Sequence, residues 1–335
     1  MVRLLHLSDL HLGYRVASHL PGSAAINPRD LLLDHIAAKL SATYSDARYR
    51  SWEGQRLDLV LISGDLFDTH RPSDGLVRRV IAAIKRIQNL GAMVITVPGN
   101  HDELTYPDSV YRVFERDWPG LLVTANRPDN PIPLMLRGQR IYLISMAYDG
   151  NDPDSSGVRK SFPGRVGEAL HICLVHGLMT DDNGDMAGER CFKLDSHTLL
   201  QSGYDYIALG HSHSPYLIPM PSGNGLIACP GMLYPRDYLD PAEGKLLFVE
   251  LERGSEPQVE WVALDLADSG SAAASFDKEN SLPKMFSMQE LHALASQETL
   301  VGELARLCMR DLFITRDPDV ERQVHLALRQ ALQML

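Results

Sequence analysis

The stretch Leu61-Ile-Ser-Gly-Asp-Leu-Phe-Asp68 begins as an apolar strand pattern and ends abruptly at Gly64-Asp65. In α/β folds, ligands bind in the crevice outside the ends of the buried strands. A carboxylate at that position is held rigidly and faces the crevice. Asp65 is therefore the first candidate functional residue.

Four other apolar runs also end in residues that can bind metal ions. They are Leu4-Leu-His-Leu-Ser-Asp9-Leu-His11, Val94-Ile-Thr-Val-Pro-Gly-Asn100-His101-Asp102, Ile172-Cys-Leu-Val-His176-Gly177 and Tyr206-Ile-Ala-Leu-Gly-His211-Ser-His213. Five such strand ends, converging on one crevice, would gather the Asp, His and Asn ligands that suit borderline divalent transition metals. The pattern predicts a binuclear metal site in which Asp65 bridges the two ions.

The remaining ligands divide between the two ions. The first ion takes Asp9, His11 and one histidine of the pair His211 and His213, and the second takes Asn100, His176 and the other histidine of that pair. Both members of the pair can reach the metals only if the backbone turns after Gly210, and we expect glycine to supply that freedom. Two divalent ions about 3.5–4 Å apart can clamp a phosphate and activate a water molecule.

Composition restricts the class of protein. The chain has 335 residues, 44% hydrophobic and 22% charged, with four scattered cysteines and a formal net charge of −11. These values indicate a globular cytoplasmic protein with reduced thiols, and no apolar run is long enough to span a membrane. The acidic charge argues against a protein that coats nucleic acid non-specifically, although two bound cations would offset part of it.

The order of predicted elements indicates an α/β domain followed by an accessory region. Strand and helix patterns alternate from residue 2 to 97, with helices starting at Asn27-Pro28 and Ser73. Short-connected strands follow to residue 251, and two long polar loops, 149–167 and 180–195, are candidates for holding substrate. We assign 1–252 to the main domain and 253–335 to a mostly helical C-terminal region, with a flexible linker near 267–283.

The five strand-end motifs, in this order, resemble those of the calcineurin-like metallophosphoesterase superfamily. Within it, His6-Leu-Ser-Asp-Leu-His-Leu-Gly13, Gly64-Asp-Leu-Phe-Asp-Thr-His-Arg-Pro72, Tyr204-Asp-Tyr-Ile-Ala-Leu-Gly-His211 and Cys229-Pro-Gly231 resemble the SbcD-like nuclease subunits of DNA double-strand-break repair. The resemblance implies a four-layer α/β/β/α sandwich of two mixed sheets with a small C-terminal appendage. It also implies Mn²⁺-dependent cleavage of DNA, a homodimer and an SbcC-like coiled-coil ATPase partner.

The resemblance also implies a role for each site residue. The first metal receives Asp9, His11, Asp65 and His213, and the second receives Asp65, Asn100, His176 and His211. His101 would act on the scissile phosphate or its leaving oxygen, and Asp102 would orient His101. Some relatives carry a histidine where this chain has Asp68, so a catalytic role at that position does not transfer.

Two alternatives remain open from the sequence. The same scaffold could serve a small-molecule phosphodiesterase or phosphatase, which the acidic net charge favours. The chain could also be a non-enzymatic subunit with a degenerate site, but no expected ligand is missing. The ligand mixture accepts Fe or Zn as well as Mn, so residue types alone do not select the metal.

Overall fold

The computed structural model describes residues 1–14, 27–45, 56–151, 158–159, 161–180, 190–234 and 244–264. All of these lie in the first of the two units into which the chain divides, Met1–Ser275. The C-terminal helices and the linker predicted from the sequence fall outside the described residues. The domain boundary at 252/253 therefore stays a prediction.

The first sheet has six strands in the order β14-β13-β1-β2-β3-β4. Its centre is parallel: β1 pairs with β2, β2 with β3 and β3 with β4. β13 is antiparallel to β1, and β14 is antiparallel to β13. The strands are β1 (Val2–Leu7), β2 (Leu59–Ser63), β3 (Met93–Val97), β4 (Leu121–Leu122), β13 (Lys245–Leu251) and β14 (Gln258–Ala263).

The second sheet follows the order β11-β12-β10-β8-β6-β5, with a parallel centre and an antiparallel strand at each end. Two short strands, β7 and β9, extend it beside β8. The strands are β5 (Ile132–Leu136), β6 (Gln139–Met146), β7 (Val158–Arg159), β8 (Leu170–Thr180), β9 (Phe192–Asp195), β10 (Tyr206–Gly210), β11 (Tyr216–Pro219) and β12 (Leu226–Cys229).

Alternating side chains of the second sheet belong to two different apolar clusters. Ile172 and Leu174 of β8 belong to the larger cluster, which also contains the first sheet and its helices. Cys173 and Val175 of the same strand belong to a smaller cluster on the opposite face. Since successive side chains of a strand point to opposite faces, the larger cluster fills the space between the sheets. The arrangement is an α/β sandwich of two mixed sheets, as expected.

Helices pack against both sheets. Helix α1 (Leu32–Ser45), preceded by a 3₁₀ turn at Pro28–Leu31, and helix α2 (Asp74–Asn89) pack into the larger cluster. The short helix α3 (Val110–Val113) follows β3, and Leu199 of α4 (Ser196–Gln201) joins the smaller cluster on the second sheet.

Local sequence explains where the two long helices begin and end. Asn27 accepts a hydrogen bond from Arg29 N and caps the 3₁₀ turn before α1, and Ser73 accepts one from Leu76 N and caps α2. Helix α2 places Val77, Val80, Ile81, Ala83, Ile84 and Ile87 in the core. It ends before Gly91, whose φ of 101° suits the left-handed residue that follows many helices.

The main differences from the sequence prediction are in the second sheet. Strand β8 does not end at His176-Gly177, where the apolar run stops, but continues to Thr180, because β9 provides a new partner strand from Gly177 onward. The predicted loop 180–195 therefore contains β9, and the predicted loop 149–167 contains β7. Among the described residues, no helix is long and apolar enough to cross a membrane.

Candidate metal centre

The predicted ligands lie where the strands of the two sheets converge. Asp9 and His11 follow β1, Asp65 follows β2, and Asn100 follows β3. His211 follows β10. His176 lies within β8, opposite Gly210 and one residue before the strand changes its partner to β9. Carboxyl ends of parallel strands are the usual ligand-binding edge of such sheets, and here two sheets contribute to one site.

The backbone at the site is unusual. Asp9, His11, Asp65 and His211 have φ angles of 51°, 43°, 49° and 84°, values that residues other than glycine rarely adopt. The loops after β1 and β2 are hydrogen-bonded to each other: Asp9 N donates to Gly64 O at 3.2 Å, and His11 N donates to Asp65 O at 2.9 Å. Such strain persists where surrounding structure fixes it and commonly marks functional sites.

Glycine is needed at two positions of the site mainly because neighbouring atoms leave no room for a side chain. Gly210 does not adopt a positive φ; the turn that we expected there is made by His211. A Cβ atom on Gly210 would lie 2.0 Å from Ser63 O, so glycine is needed because the two sheets approach closely. Gly64 combines both reasons, since its φ is 86° and a Cβ there would lie 2.3 Å from His176 Nδ1.

The first group of donor atoms comes from Asp9, His11 and His213, which all lie within 4.8 Å of one another. His11 Nε2 lies 4.0 Å from Asp9 Oδ1 and 3.7 Å from Asp65 Oδ2. These separations exceed a hydrogen bond but suit donor atoms on different sides of one ion. Asp9 also accepts from the backbone N of His211 at 3.0 Å through Oδ2, which fixes its carboxylate.

The second group comes from Asp65, His176 and His211, again within 4.8 Å of one another. Asn100 adds its amide oxygen, 2.9 Å from both His176 Nε2 and His211 Nδ1. His176 Nε2 lies 3.3 Å from Asp65 Oδ2. The two groups meet at Asp65, whose Oδ2 lies close to both His11 and His176, and His213 belongs to the first group whereas His211 belongs to the second.

The orientation of His176 shows that the second group fits a cation. Its Nδ1 lies 2.8 Å from the carbonyl oxygen of Ser63, which can only accept, so Nδ1 carries the hydrogen. In the neutral form of the ring, which is the form that binds a metal, Nε2 would direct a lone pair toward the oxygens of Asn100 and Asp65. Acceptors that face one another across about 3 Å are the ligand set of a divalent metal, and their mixture of N and O donors suits transition metals.

Charge inside the site is balanced by protons when no ion is bound. Burial disfavours the imidazolium of His176, but the charge and hydrogen bond of Asp65 and the charge of Asp9 raise its pKa to about 9. Burial also acts against the Asp65 carboxylate, yet His176, His11 and His101 hold its pKa well below the usual value. Burial raises the pKa of Asp9 to about 6. An ion must therefore displace protons to bind.

His101 lies beside both groups, but its ring is oriented by Asp68 and not, as we expected, by Asp102. Its Nδ1 lies 2.9 Å from the backbone carbonyl of Asp68, and its backbone N donates to Asp65 Oδ1 at 2.9 Å. The carboxylate of Asp102 does not orient this ring. It accepts from Gly99 N at 2.7 Å, Phe67 N at 3.1 Å and Tyr111 Oη at 2.7 Å. Asp102 therefore fixes the turn that carries His101.

Asp68 is the functional candidate that sequence reasoning left without a role. Its Oδ1 lies 3.2 Å from Nδ1 of His11 and 3.8 Å from Nδ1 of His101. A carboxylate on the far nitrogen of a metal-binding imidazole fixes the ring and its tautomer. The signal in the sequence was its spacing, three residues beyond Asp65 on a loop that pairs with the loop of His11.

Comparisons with known proteins found similarity in sequence and in structure. The DNA double-strand break repair protein Mre11 of Saccharolobus solfataricus is 30% identical over 102 residues, which are 30% of this chain and 23% of that protein. The aligned stretch thus spans less than a quarter of that relative. Two solved structures are also similar: TT1561 of Thermus thermophilus and a dimetal phosphatase from Danio rerio.

The structural matches are distant in sequence. The Thermus thermophilus protein has a TM-score of 0.43 and 12% identity, covering 79% of this chain and 99% of its own. The Danio rerio phosphatase has a TM-score of 0.45 and 12% identity, covering 79% and 96%. The family model described as calcineurin-like phosphoesterase matches residues 2–215, well over half of the chain. The chain belongs to the calcineurin-like phosphoesterase family.

Proposed function

We propose that the protein is a metal-dependent DNA nuclease that hydrolyses phosphodiester bonds and works in DNA repair with an SbcC-like ATPase. Membership of the family makes it a metal-binding phosphoester hydrolase. The observation that carries the proposal is the pair of donor groups that meet at Asp65, which belongs to the second group and lies 3.7 Å from His11 of the first, with His101 beside them. The motif flanks and the partial match to Mre11 support DNA as the substrate.

The residues divide into those that hold the ions and those that serve the substrate. Asp9, His11 and His213 would hold one ion, with Asn100, His176 and His211 holding the other and Asp65 touching both. When bound, a pair of divalent ions, Mn²⁺ by our proposal, neutralises phosphate charge and supplies a nucleophilic water at neutral pH. Asp68 and the Ser63 carbonyl keep the imidazoles of His11 and His176 in orientation.

His101 is the candidate proton donor. Its side chain is 35% exposed, whereas those of His11 and His176 are fully buried. His101 is therefore accessible to a substrate bound at the metal centre. With Nδ1 engaged by the Asp68 carbonyl, Nε2 remains for the substrate. Cleavage of a phosphodiester expels an alkoxide, and an imidazolium can donate a proton to that oxygen.

A small-molecule phosphodiesterase or phosphatase is the second candidate. The net charge of −11 favours it, since a protein that binds long nucleic acids usually presents a basic surface. The SbcD-like flanks of the motifs support the nuclease, and the two candidates share the same chemistry at the metal centre. They differ in the substrate, so a substrate comparison separates them.

The decisive experiment compares linear DNA with bis(4-nitrophenyl) phosphate, each incubated with purified protein and Mn²⁺. We expect digestion of DNA, a loss of about 10²–10⁴-fold in His101→Ala, and normal activity in the matched control His197→Ala, an exposed histidine of α4. Hydrolysis of the aryl diester without cleavage of DNA would establish the second candidate. Cleavage of DNA that is unaffected by His101→Ala would remove the proposed acid.

The ATPase partner and the homodimer are proposals from the same resemblance. We propose residues 300–335, which lie outside the described residues, as the docking segment for the ATPase. Deletion of this segment is expected to abolish co-purification with the coiled-coil ATPase while leaving Mn²⁺-dependent hydrolysis intact. Retained co-purification would end this assignment. Sedimentation of the full chain tests the homodimer, and a monomer at micromolar concentration would contradict it.

A further inference from the structure

The loop that follows His101, residues 102–109, forms one wall of the metal centre, and two other loops bind to it. Thr105 accepts a hydrogen bond from Gly150 N at 2.7 Å through its hydroxyl and from Asn151 Nδ2 at 3.1 Å through its carbonyl. Glu103, which is 2% exposed, binds the guanidinium of Arg190 and the hydroxyl of Thr105. The segments that we expected to hold substrate are thus attached beside His101.

Two aromatic rings are stacked on this wall without being buried. The rings of His70 and Tyr106 lie 4.0 Å apart between centroids, at an interplanar angle of 27°. Tyr106 is 37% exposed and the His70 side chain is 34% exposed. Their loops are fastened to the fold, with Val110 N donating to His70 O at 2.7 Å. A preformed, accessible π-face is the property that nucleobases require for stacking.

Arg190 provides a positive charge at a fixed position near the two rings. The guanidinium of Arg190 is bound to the buried carboxylate of Glu103, yet 61% of its side chain is exposed. Arginine has five N–H donors in a planar fork, so one carboxylate can hold it in place while other donors face outward. A second cation near the rings, Arg71, pairs with Asp108 at 2.7 Å, an ion pair whose carboxylate is itself 45% exposed.

The three residues are close in the sequence, or through strand pairing, to residues of the metal centre. His70 is two residues beyond Asp68, whose carbonyl holds the ring of His101. Tyr106 is five residues beyond His101. Arg190 precedes β9, whose Phe192 pairs with Gly177, the neighbour of His176. The aromatic pair and the guanidinium are therefore carried by segments that continue directly from the metal-binding loops or, through Glu103, contact them.

We propose that the stacked rings of His70 and Tyr106, with the guanidinium of Arg190, form a nucleoside subsite on this wall. One base next to the scissile linkage stacks on the Tyr106 ring, and Arg190 binds a neighbouring phosphate. The subsite rests on the proposed nuclease function and deepens it, because it makes the enzyme sensitive to the base beside the bond that it cleaves.

The test uses two single-stranded oligonucleotides with the same phosphodiester backbone. One carries ordinary bases, and the other carries abasic tetrahydrofuran residues around the cleaved linkages. With Mn²⁺, we expect Tyr106→Ala to lower kcat/KM on the ordinary substrate about tenfold, mainly through KM, as loss of one base–aromatic stack predicts. Cleavage of the abasic substrate is expected to stay at the parental rate. Tyr106→Phe, which keeps the aromatic ring, is expected to cleave the ordinary substrate with the parental kcat/KM.

Arg190→Ala is expected to raise KM on both substrates, because it removes a phosphate contact rather than a stack. Met135→Ala, an exposed apolar residue of β5, is the control for surface truncation. Equal effects of Tyr106→Ala on both oligonucleotides, or none on either, would overturn the subsite while the nuclease function stands. Failure of the parent to cleave any DNA, with hydrolysis of bis(4-nitrophenyl) phosphate retained, would overturn the proposed function and the nucleoside subsite together.

Discussion

Nδ1 of His11 lies 3.2 Å from Oδ1 of Asp68, and both side chains come from loops that hydrogen-bond to each other beneath the metal centre. His11 is fully buried, so its ring has no solvent to orient it. With Nδ1 donating to the carboxylate, Nε2 is left to face Asp9 and Asp65. This contact gives Asp68 a positioning role toward a metal ligand, which the sequence alone did not reveal.

We expect Asp68→Ala to weaken Mn²⁺ binding about 10–100-fold, because loss of a carboxylate behind a metal-binding imidazole typically has that effect. Asp68→Asn keeps an acceptor oxygen and is expected to lose less. Isothermal titration calorimetry with Mn²⁺ measures the change. Asp117→Asn, which alters an exposed carboxylate in the turn after α3, is the matched control. Unchanged affinity in Asp68→Ala would contradict the positioning role.

Asp65 is the residue through which the two donor groups are joined. Its Oδ2 lies 3.3 Å from His176 Nε2 and 3.7 Å from His11 Nε2. Asp65→Asn replaces a shared carboxylate with a neutral amide, and we expect the bound Mn²⁺ to fall from about two ions per chain to one or none. Equilibrium dialysis followed by metal analysis gives the stoichiometry. Two ions retained in Asp65→Asn would refute the shared site.

The strand ends that carry the site could be predicted because two independent patterns coincide there. A buried parallel strand reads as a continuous apolar run, and the repetition of metal-ligand residue types directly after five such runs is a second, separate pattern. The apolar runs before Asp9, Asp65, Asn100 and His211 were identified on this basis, and β1, β2, β3 and β10 each end shortly before these residues.

Features that depend on contacts between distant segments could not be predicted in this way. β5 has alternating half-exposed residues and contains Pro133, so it lacks the run that marks a central strand. Asp102 contacts Phe67 and Tyr111 rather than the ring of its neighbour His101, because the turn brings its carboxylate inward. Gly210 is required by an approach of the two sheets that no local pattern records.

Metal affinity is expected to depend on pH, because ions and protons compete for the same atoms. With no ion bound, the pKa of His176 is about 9 and that of Asp9 about 6. Between these values one proton leaves on binding, so the apparent affinity should rise about tenfold per pH unit and level off above about pH 9. Below about pH 6 the dependence steepens, because Asp9 must also lose a proton.

Calorimetry in buffers of different ionisation enthalpy measures the released proton directly. At about pH 7.5 we expect close to one proton per chain from His176. A His176→Asn variant, which has no titrating ring, should release fewer protons and bind more weakly. Affinity that is independent of pH between about 6 and 9 would show that His176 is not displaced by the ion.

His6 provides a separate pH effect, on stability. It is fully buried beneath the site, with Nε2 2.9 Å from Ser63 Oγ and Nδ1 2.9 Å from Tyr206 Oη. Burial lowers its pKa from 6.5 to about 3. Between these values the unfolded chain binds the proton and the folded chain does not, so His6 favours folding fully above about pH 6.5 and loses that contribution as the pH falls toward 3.

The variant His6→Gln isolates this contribution, because Asp9 and Asp102, whose pKa values are raised to about 6, have the opposite pH dependence in both proteins. Urea unfolding in EDTA at about pH 7.5 and 4.5 measures the difference. We expect the parent to lose more stability than His6→Gln between the two pH values, and His197→Gln to behave as the parent. Parallel losses in parent and His6→Gln would show that His6 is protonated in the folded protein, and the hydrogen bonds to Ser63 and Tyr206 would then need a charged ring that donates through both nitrogens.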